Sequence, residues 1–156
     1  MKASEVQRAV AAAMSIAVAL DLTVDDAIVL RNSNKLALRV LPCDVLARVA
    51  HVGHEVAQFE VDIAQRLAET DSPVAALEPR VEPRVYVRDG FAVTLWTYYQ
   101  PVAPQEVSPA DYADALERLH SGMRKLDVTA PHFTDRVVEA QQLVASRDHP
   151  PALADD

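Results

Sequence analysis

The stretch that decides the fold is KLALRVLPCDVLARVA, residues 35–50. It contains two β-type runs, Lys35 to Leu41 and Val45 to Ala50, separated by the turn residues Pro42-Cys43-Asp44. A third run, Ala27 to Arg31, precedes them across Asn32-Ser33-Asn34. Short apolar runs bounded by turn residues predict strands, so this region is expected to form three antiparallel strands.

Helical periodicity flanks these strands on both sides. Residues Ser4 to Leu20 are predicted as a helix, with a capping-box spacing at Ser4 and Gln7. Its predicted inward face consists of Val6, Val10, Met14, Ala17 and Val18. A second helix is predicted from His54 to Glu69, and Asp71-Ser72-Pro73 ends it. Its apolar positions are Val56, Phe59, Ile63, Ala64 and Leu67.

A hairpin and further helices follow in the last part of the chain. Asp89-Gly90, between the apolar runs of Val85 to Trp96, is a strong hairpin signal. Ser108 is the predicted N-cap of a helix that reaches about Leu126, and another helix is expected from Thr134 to Ser146. The terminal residues 150–156 resemble the start of one more element. This order of elements predicts an α+β domain.

Composition and charge exclude several classes of function. The 156 residues suit one compact domain, and a net charge of −8 argues against nucleic acid or anionic lipid as a partner. The longest apolar stretch, Ala9 to Leu20, is too short to span a bilayer, so a cytoplasmic protein without a membrane segment is expected. Cys43 is the only cysteine, which excludes an internal disulfide and predicts a small buried side chain.

The order of elements also resembles the small lobe of kinase-like phosphotransferases, particularly the aminoglycoside phosphotransferase and choline kinase group, over about residues 20–126. The resemblance implies an antiparallel sheet of about five strands with a packed helix. It also implies three parts: an N-terminal helix (1–20), a nucleotide-binding small lobe (21–100), and a hinge with the helical start of a large lobe (101–156).

By this resemblance, Asn32, Ser33 and Asn34 cover the phosphates of ATP. The loop contains no glycine, so these side chains would have to donate where a glycine-rich loop uses backbone N–H groups. The alternative interpretation is an ordinary turn rich in asparagine. Arg48 stands at the position of the family's phosphate-binding lysine on the third strand. Arginine keeps the charge of that lysine but carries a longer fork.

The resemblance assigns two further elements to the nucleotide. Glu60 on the second helix would anchor Arg48, with Glu55 as the second choice, although either could be a solvated helix charge. Leu95, Trp96 and Thr97 would form the hinge, which offers main-chain groups and an apolar wall to adenine. An aromatic run in a sheet can equally be packing.

The residues of the chemical step are missing from the sequence. Phosphoryl transfer in this family uses H-G-D-x-x-x-x-N and a later metal-binding Asp, and neither occurs. The segment Leu119 to Met123 contains His and Gly without the Asp, and we interpret it as structural. His51 and His54, beside Glu55, lack a third well-placed ligand and are interpreted as surface or capping histidines rather than a metal site.

These observations predict the ATP-binding part of a phosphotransferase acting on a hydroxyl of an aminoglycoside-like or other metabolite. The chain is expected to be inactive alone, with the large lobe and its Mg²⁺ supplied by residues after Asp156. Two alternatives remain open. One is a non-catalytic binding or regulatory module, and the other is a structural domain whose large-lobe-facing surface self-associates or binds a partner chain.

Overall fold

The computed structural model describes residues 1–52, 56–103, 107–128 and 133–145. Within these ranges the chain forms four helices and one five-stranded sheet. The helices are α1 (Ala3–Ala19), α2 (Val56–Ala68), α3 (Pro109–Met123) and α4 (Phe133–Ala145). The strands are β1 (Val24–Asn32), β2 (Leu36–Pro42), β3 (Val45–His51), β4 (Tyr86–Arg88) and β5 (Phe91–Thr97). The α+β class is therefore confirmed.

All neighbouring strands of the sheet are antiparallel, in the order β1-β2-β3-β5-β4. Short turns join the strands that are neighbours in both the sequence and the sheet. Asp89 and Gly90 both have positive φ, 51° and 81°, as a two-residue type I′ turn requires. Asp44, with φ 60°, makes the turn between β2 and β3. The pairing of β3 with β5 then encloses α2 and the long connection that follows it.

Helix α1 covers one face of the sheet and contacts all five strands. Its buried positions are Ala9, Ala12, Ala13, Ile16 and Ala17. The predicted inward face was wrong in part, because Val18 is exposed whereas alanines form the contact. Small side chains let the helix axis approach the sheet closely, which a stripe of valines would prevent. The predicted Ser4 cap is also displaced: the helix begins at Ala3, and Glu5 accepts from the backbone N–H of Lys2 at 2.8 Å.

The core lies between α1 and the strand residues that alternate toward it. Along β3 these are Val45, Ala47 and Val49, all fully buried. Phe91 and Val93 of β5 complete the layer. The side chains between these positions point to the other face of the sheet, because side chains alternate along a strand.

Two compact units make up the chain. The first, Met1–Leu126, contains α1 to α3 and the sheet, and the second begins at Asp127 and contains α4. Helix α3 begins as predicted, since Ser108 Oγ accepts from the N–H of Asp111 at 3.1 Å, but it ends at Met123 rather than near Leu126. Residues 101–126 of the predicted third part thus belong to the first unit.

Gly122 allows α3 to approach the end of α2. A Cβ at this position would lie 1.9 Å from Ser72 Oγ and 3.2 Å from Leu67 Cδ2. We expect Gly122→Val to lower the free energy of unfolding by about 1–3 kcal/mol, the usual cost of overpacking. Denaturant unfolding measures this change. Ala113→Val on the exposed side of α3 is the control for the β-branched side chain; an equal loss in both variants would contradict the packing argument.

Candidate functional site

Strand alternation places Arg48 on the sheet face opposite α1. Arg48 of β3 is paired with Ala37 of β2 and Thr94 of β5. We call this side the Arg48 face, and its central residues are Ala37, Arg39, Leu46, Arg48, Thr94 and Trp96. The two neighbours of Arg48 are small, which leaves room around its guanidinium.

Glu60 on α2 lies between two cations of the Arg48 face. Its Oε2 is 3.1 Å from Arg48 Nη1, and its Oε1 is 2.5 Å from Lys35 Nζ. We call Lys35, Arg48 and Glu60 the Glu60 cluster. The contact with Arg48 is an ion pair without hydrogen-bond alignment, and within the described residues the buried Oε2 accepts no hydrogen bond. The Arg48 side chain is 35% exposed, so other N–H groups of its fork can reach a ligand.

The predicted pairing of Arg48 with Glu60 is therefore present in the structure. Sequence analysis missed Lys35, which it treated only as the start of a strand. Strand alternation could have identified it. Lys35 is two residues before Ala37, and residues two apart in a strand point to the same face, so Lys35 lies on the face of Arg48. Glu55, the second choice for the anchor, and His54 lie outside the described residues.

Trp96 is a buried aromatic residue beside the Glu60 cluster. Its ring centroid is 5.6 Å from Arg48 Cζ, within the range of a cation–π contact. The indole Nε1 donates to Thr94 Oγ1 at 2.8 Å, which fixes the orientation of the ring. Both residues are buried. A buried aromatic ring and two cations thus share one side of the sheet.

The other two predicted hinge residues have different positions. Leu95 points toward α1 and belongs to the core, so it lies on the opposite face from Trp96. Its carbonyl accepts from the N–H of Glu78 at 3.1 Å, and the N–H of Thr97 donates to the carbonyl of Ala76 at 2.9 Å. These main-chain groups already have partners within the protein. Main-chain contacts to a base would have to come from residues after β5, beginning with Tyr98.

The predicted phosphate loop connects β1 and β2 at the exposed end of the hairpin. The side-chain amide of Asn32 makes two hydrogen bonds to Met1. Its Oδ1 accepts from the terminal amine of Met1, and its Nδ2 donates to the carbonyl of Met1, both at 2.9 Å. The N–H of Ser33 donates to the carbonyl of Lys35 at 3.2 Å. Ser33 and Asn34 are exposed. Lys35 connects this loop directly to the Glu60 cluster.

A third cation, Arg39, lies farther along the same face. Its Nε donates to Asp44 Oδ1 at 2.6 Å, and its Cζ lies 4.2 Å from the ring centroid of Tyr98. The hydrogen bond to Asp44 raises the pKa of Arg39. Because Tyr98 follows β5 immediately, Arg39 marks the end of the Arg48 face at which a hinge would begin.

Neither a metal nor a reactive thiol is indicated in the described part of the chain. There, no group of three or more His, Cys, Asp or Glu residues could hold a metal ion. His51 packs against Phe91, with ring centroids 5.2 Å apart, and its Nε2 is 3.9 Å from Glu5 Oε1. Burial raises the pKa of the Cys43 thiol, which is half-buried where the sequence predicts a small buried side chain.

Among the described helices, none has the length and apolar character needed to cross a bilayer. The predicted further element at residues 150–156 lies outside the described residues. Comparisons with models of protein families, with curated proteins and with solved structures gave no match. The residues of the Arg48 face are therefore the basis for assigning a function.

Proposed function

We propose that the Arg48 face binds ATP, as the nucleotide-binding small lobe of a kinase-like phosphotransferase that acts on a hydroxyl of an aminoglycoside-like or other metabolite. The observation that carries the proposal is the ion pair between Arg48 on the central strand β3 and Glu60 on α2, at 3.1 Å. In kinase-like enzymes a cation on the third strand and a glutamate on the following helix form such a pair next to the nucleotide phosphates.

Electrostatics support an anionic ligand on this face. Lys35, Arg39 and Arg48 cluster on one side of the sheet in a chain whose net charge is −8. Glu60 neutralises only one charge of the two nearest cations, so the Glu60 cluster keeps a formal excess of one positive charge. A local positive site on an acidic protein attracts phosphate groups selectively. The Arg48 fork can also bind a phosphate bidentately.

The position of Trp96 supports a base next to those phosphates. Nucleotide sites combine an apolar wall with a few placed polar groups. Trp96 lies beside Arg48 on the same face, and because it is 6% exposed it would offer a base only that small open part of its ring. In this arrangement Ser33, Asn34 and Lys35 meet the phosphates from the loop, while Tyr98 and its neighbours meet the base. Leu95 has no direct role because it faces the core.

These residues account for nucleotide binding and not for the chemical step. The sequence contains no H-G-D-x-x-x-x-N, whose Asp accepts the hydroxyl proton and whose Asn binds Mg²⁺. Two observations favour a second candidate, a non-catalytic regulatory module. The side-chain amide of Asn32 already bonds to Met1, and the loop contains no glycine. Such a module could bind nucleotide or not, so absence of ATP binding would exclude the phosphotransferase and leave the module.

Trp96, the only tryptophan, makes the test direct. We expect Mg²⁺·ATP to quench its fluorescence in a saturable titration, and Arg48→Ala to raise the dissociation constant at least about tenfold because a charge-assisted contact is lost. Arg48→Lys should recover part of the affinity, since it keeps the charge. AMP should bind more weakly than ATP.

Arg84→Ala is the matched control. Arg84 also combines an ion pair, to Glu82 at 3.0 Å, with an aromatic contact, to Tyr86 at 4.3 Å, but in the connection before β4. It should leave the ATP affinity unchanged. Calorimetric titration guards against a purely optical effect of Arg48 on the indole. Equal affinities for wild type and Arg48→Ala would remove Arg48 from the site, and absence of ATP binding would favour the regulatory module.

A further inference from the structure

Strand β1 is a long and exposed edge of the sheet. It spans nine residues, whereas the strand at the opposite edge, β4, has three. Three consecutive apolar side chains at its centre, Ile28, Val29 and Leu30, are 44%, 44% and 45% exposed. An exposed edge with apolar side chains is a template for pairing with another strand.

Charges on β1 are placed to suit a second copy of the same strand. The register opposes Asp26 to Leu41, Ile28 to Arg39 and Arg31 to Ala37. The irregularity between Val29 and Arg31 leaves Leu30 out of the pairing and turns Arg31 to the face of Ile28. Along the Arg48 face, β1 therefore presents an acid, an apolar residue and a base in that order. Within the described residues neither Asp26 nor Arg31 has an ion-pair partner.

We propose that β1 pairs with β1 of a second copy of this chain, antiparallel and centred on Ile28, and joins two sheets edge to edge. Opposed side chains in an antiparallel pair point to the same face. A two-fold axis through Ile28 therefore places Ile28 against its own copy and Ala27 against Val29 on the opposite face. By the same count Asp26 lies opposite Leu30 and Asp25 lies opposite Arg31 of the other copy, so the acidic end of each β1 meets the basic end of the other, twice in the dimer.

The symmetry explains why the partner is a second copy rather than an unrelated strand. A two-fold interface requires one self-complementary patch, and an acid and a base on either side of an apolar centre satisfy this requirement. The same charges oppose a parallel pairing, because the acidic ends of the two strands would then lie side by side. This interface leaves the α2 side of the Arg48 face accessible, so it is independent of the proposed nucleotide binding.

Sedimentation equilibrium of the full chain tests the proposal. The expected mass at high concentration is twice the 17.1 kDa of the chain. The double variant Asp25→Arg, Asp26→Arg leaves only basic charges on β1, and Arg31→Asp leaves only acidic ones, so each variant alone should dissociate at least about tenfold more readily. An equimolar mixture of the two variants should form a heterodimer, because both cross-strand pairs are then attractive again.

Controls separate the interface from the fold. Asp25, Asp26 and Arg31 are all exposed, so circular dichroism and unfolding midpoints of the charge variants should stay close to wild type. Ile28→Lys should also give monomers. Arg84→Asp, a charge reversal away from β1, should not alter the mass. A wild-type chain that stays at 17.1 kDa at millimolar concentration overturns the proposal. So does a dimer that persists in both charge variants, or a mixture that fails to associate.

Discussion

Phe91→Ala is expected to lower the free energy of unfolding by about 3–5 kcal/mol, the largest effect of any substitution considered for this chain. Phe91 begins β5 and is 1% exposed, and it packs in the core beneath α1. Truncation removes buried apolar surface from the core. It also leaves a cavity, because α1 and the sheet can move only partly into the space of the lost ring. Since domains of this size are stable by only about 5–15 kcal/mol, much of the protein's stability would be lost.

Denaturant unfolding followed by circular dichroism measures this loss. Phe91→Leu should retain most of the stability because it keeps an apolar side chain in the same space. Val87→Ala is the matched control in the same hairpin, since Val87 is 63% exposed, and it should change little. A small loss for Phe91→Ala would mean that α1 does not form a rigid cover over β5.

Local signals in the sequence were sufficient to predict the helices and strands, but not to predict which side of each one is buried. Asp89-Gly90 determined the hairpin and Ser108 the start of α3, because turn and cap chemistry depends on neighbouring residues alone. The inward side of α1 could not be obtained in the same way. Alanines and valines share the helical period, and the sheet selects the alanines because they allow closer approach.

In the candidate site, too, some features were predictable from the sequence and others depend on the folded sheet. The pair Arg48 and Glu60 was predicted from the resemblance and is present in the structure, whereas Lys35 was missed. Its position depends on the register of β2 against β3, which couples residues far apart in the sequence. The occupied main-chain groups of Leu95 and Thr97 were likewise not predictable, because their partners are in the connection before β4, where no regular element was expected.

That connection is held by a buried acid that sequence analysis did not single out. Glu78 is 3% exposed, and its carboxylate accepts from Arg80 at Nε (2.5 Å), at Nη2 (3.0 Å) and at the backbone N–H (3.1 Å). Arg80 Nη2 also donates to the carbonyl of Cys43 at 2.8 Å. The pair thereby ties the connection to the turn between β2 and β3. The bond from Glu78 N–H to Leu95 holds the adjacent Leu77 against Trp96.

Glu78→Gln is expected to cost about 1.5–3 kcal/mol at pH 7, because a buried charge-assisted hydrogen-bond network loses its charge and gains a donor facing other donors. The effect should depend on pH in a defined direction. Hydrogen bonds from Arg80 hold the pKa of Glu78 below its ordinary value of 4.5, despite the opposing effect of burial. A carboxylate with a lowered pKa contributes its full stabilisation above the pKa of the unfolded chain and loses it as the pH falls through the folded pKa.

The difference in unfolding free energy between wild type and Glu78→Gln should therefore be constant near neutral pH and shrink below about pH 4. Unfolding curves at a series of pH values measure that difference directly, so losses common to both proteins at low pH cancel. Glu82→Gln is the control: Glu82 also pairs with an arginine two residues later, Arg84, but is 73% exposed, and it should show no measurable change. A Glu78→Gln deficit that persists unchanged in acid would show that the amide disturbs packing rather than charge. Because the connection that Glu78 anchors lies against Trp96, loss of the charge should also shift the tryptophan emission at neutral pH, and the same acidification should remove that shift.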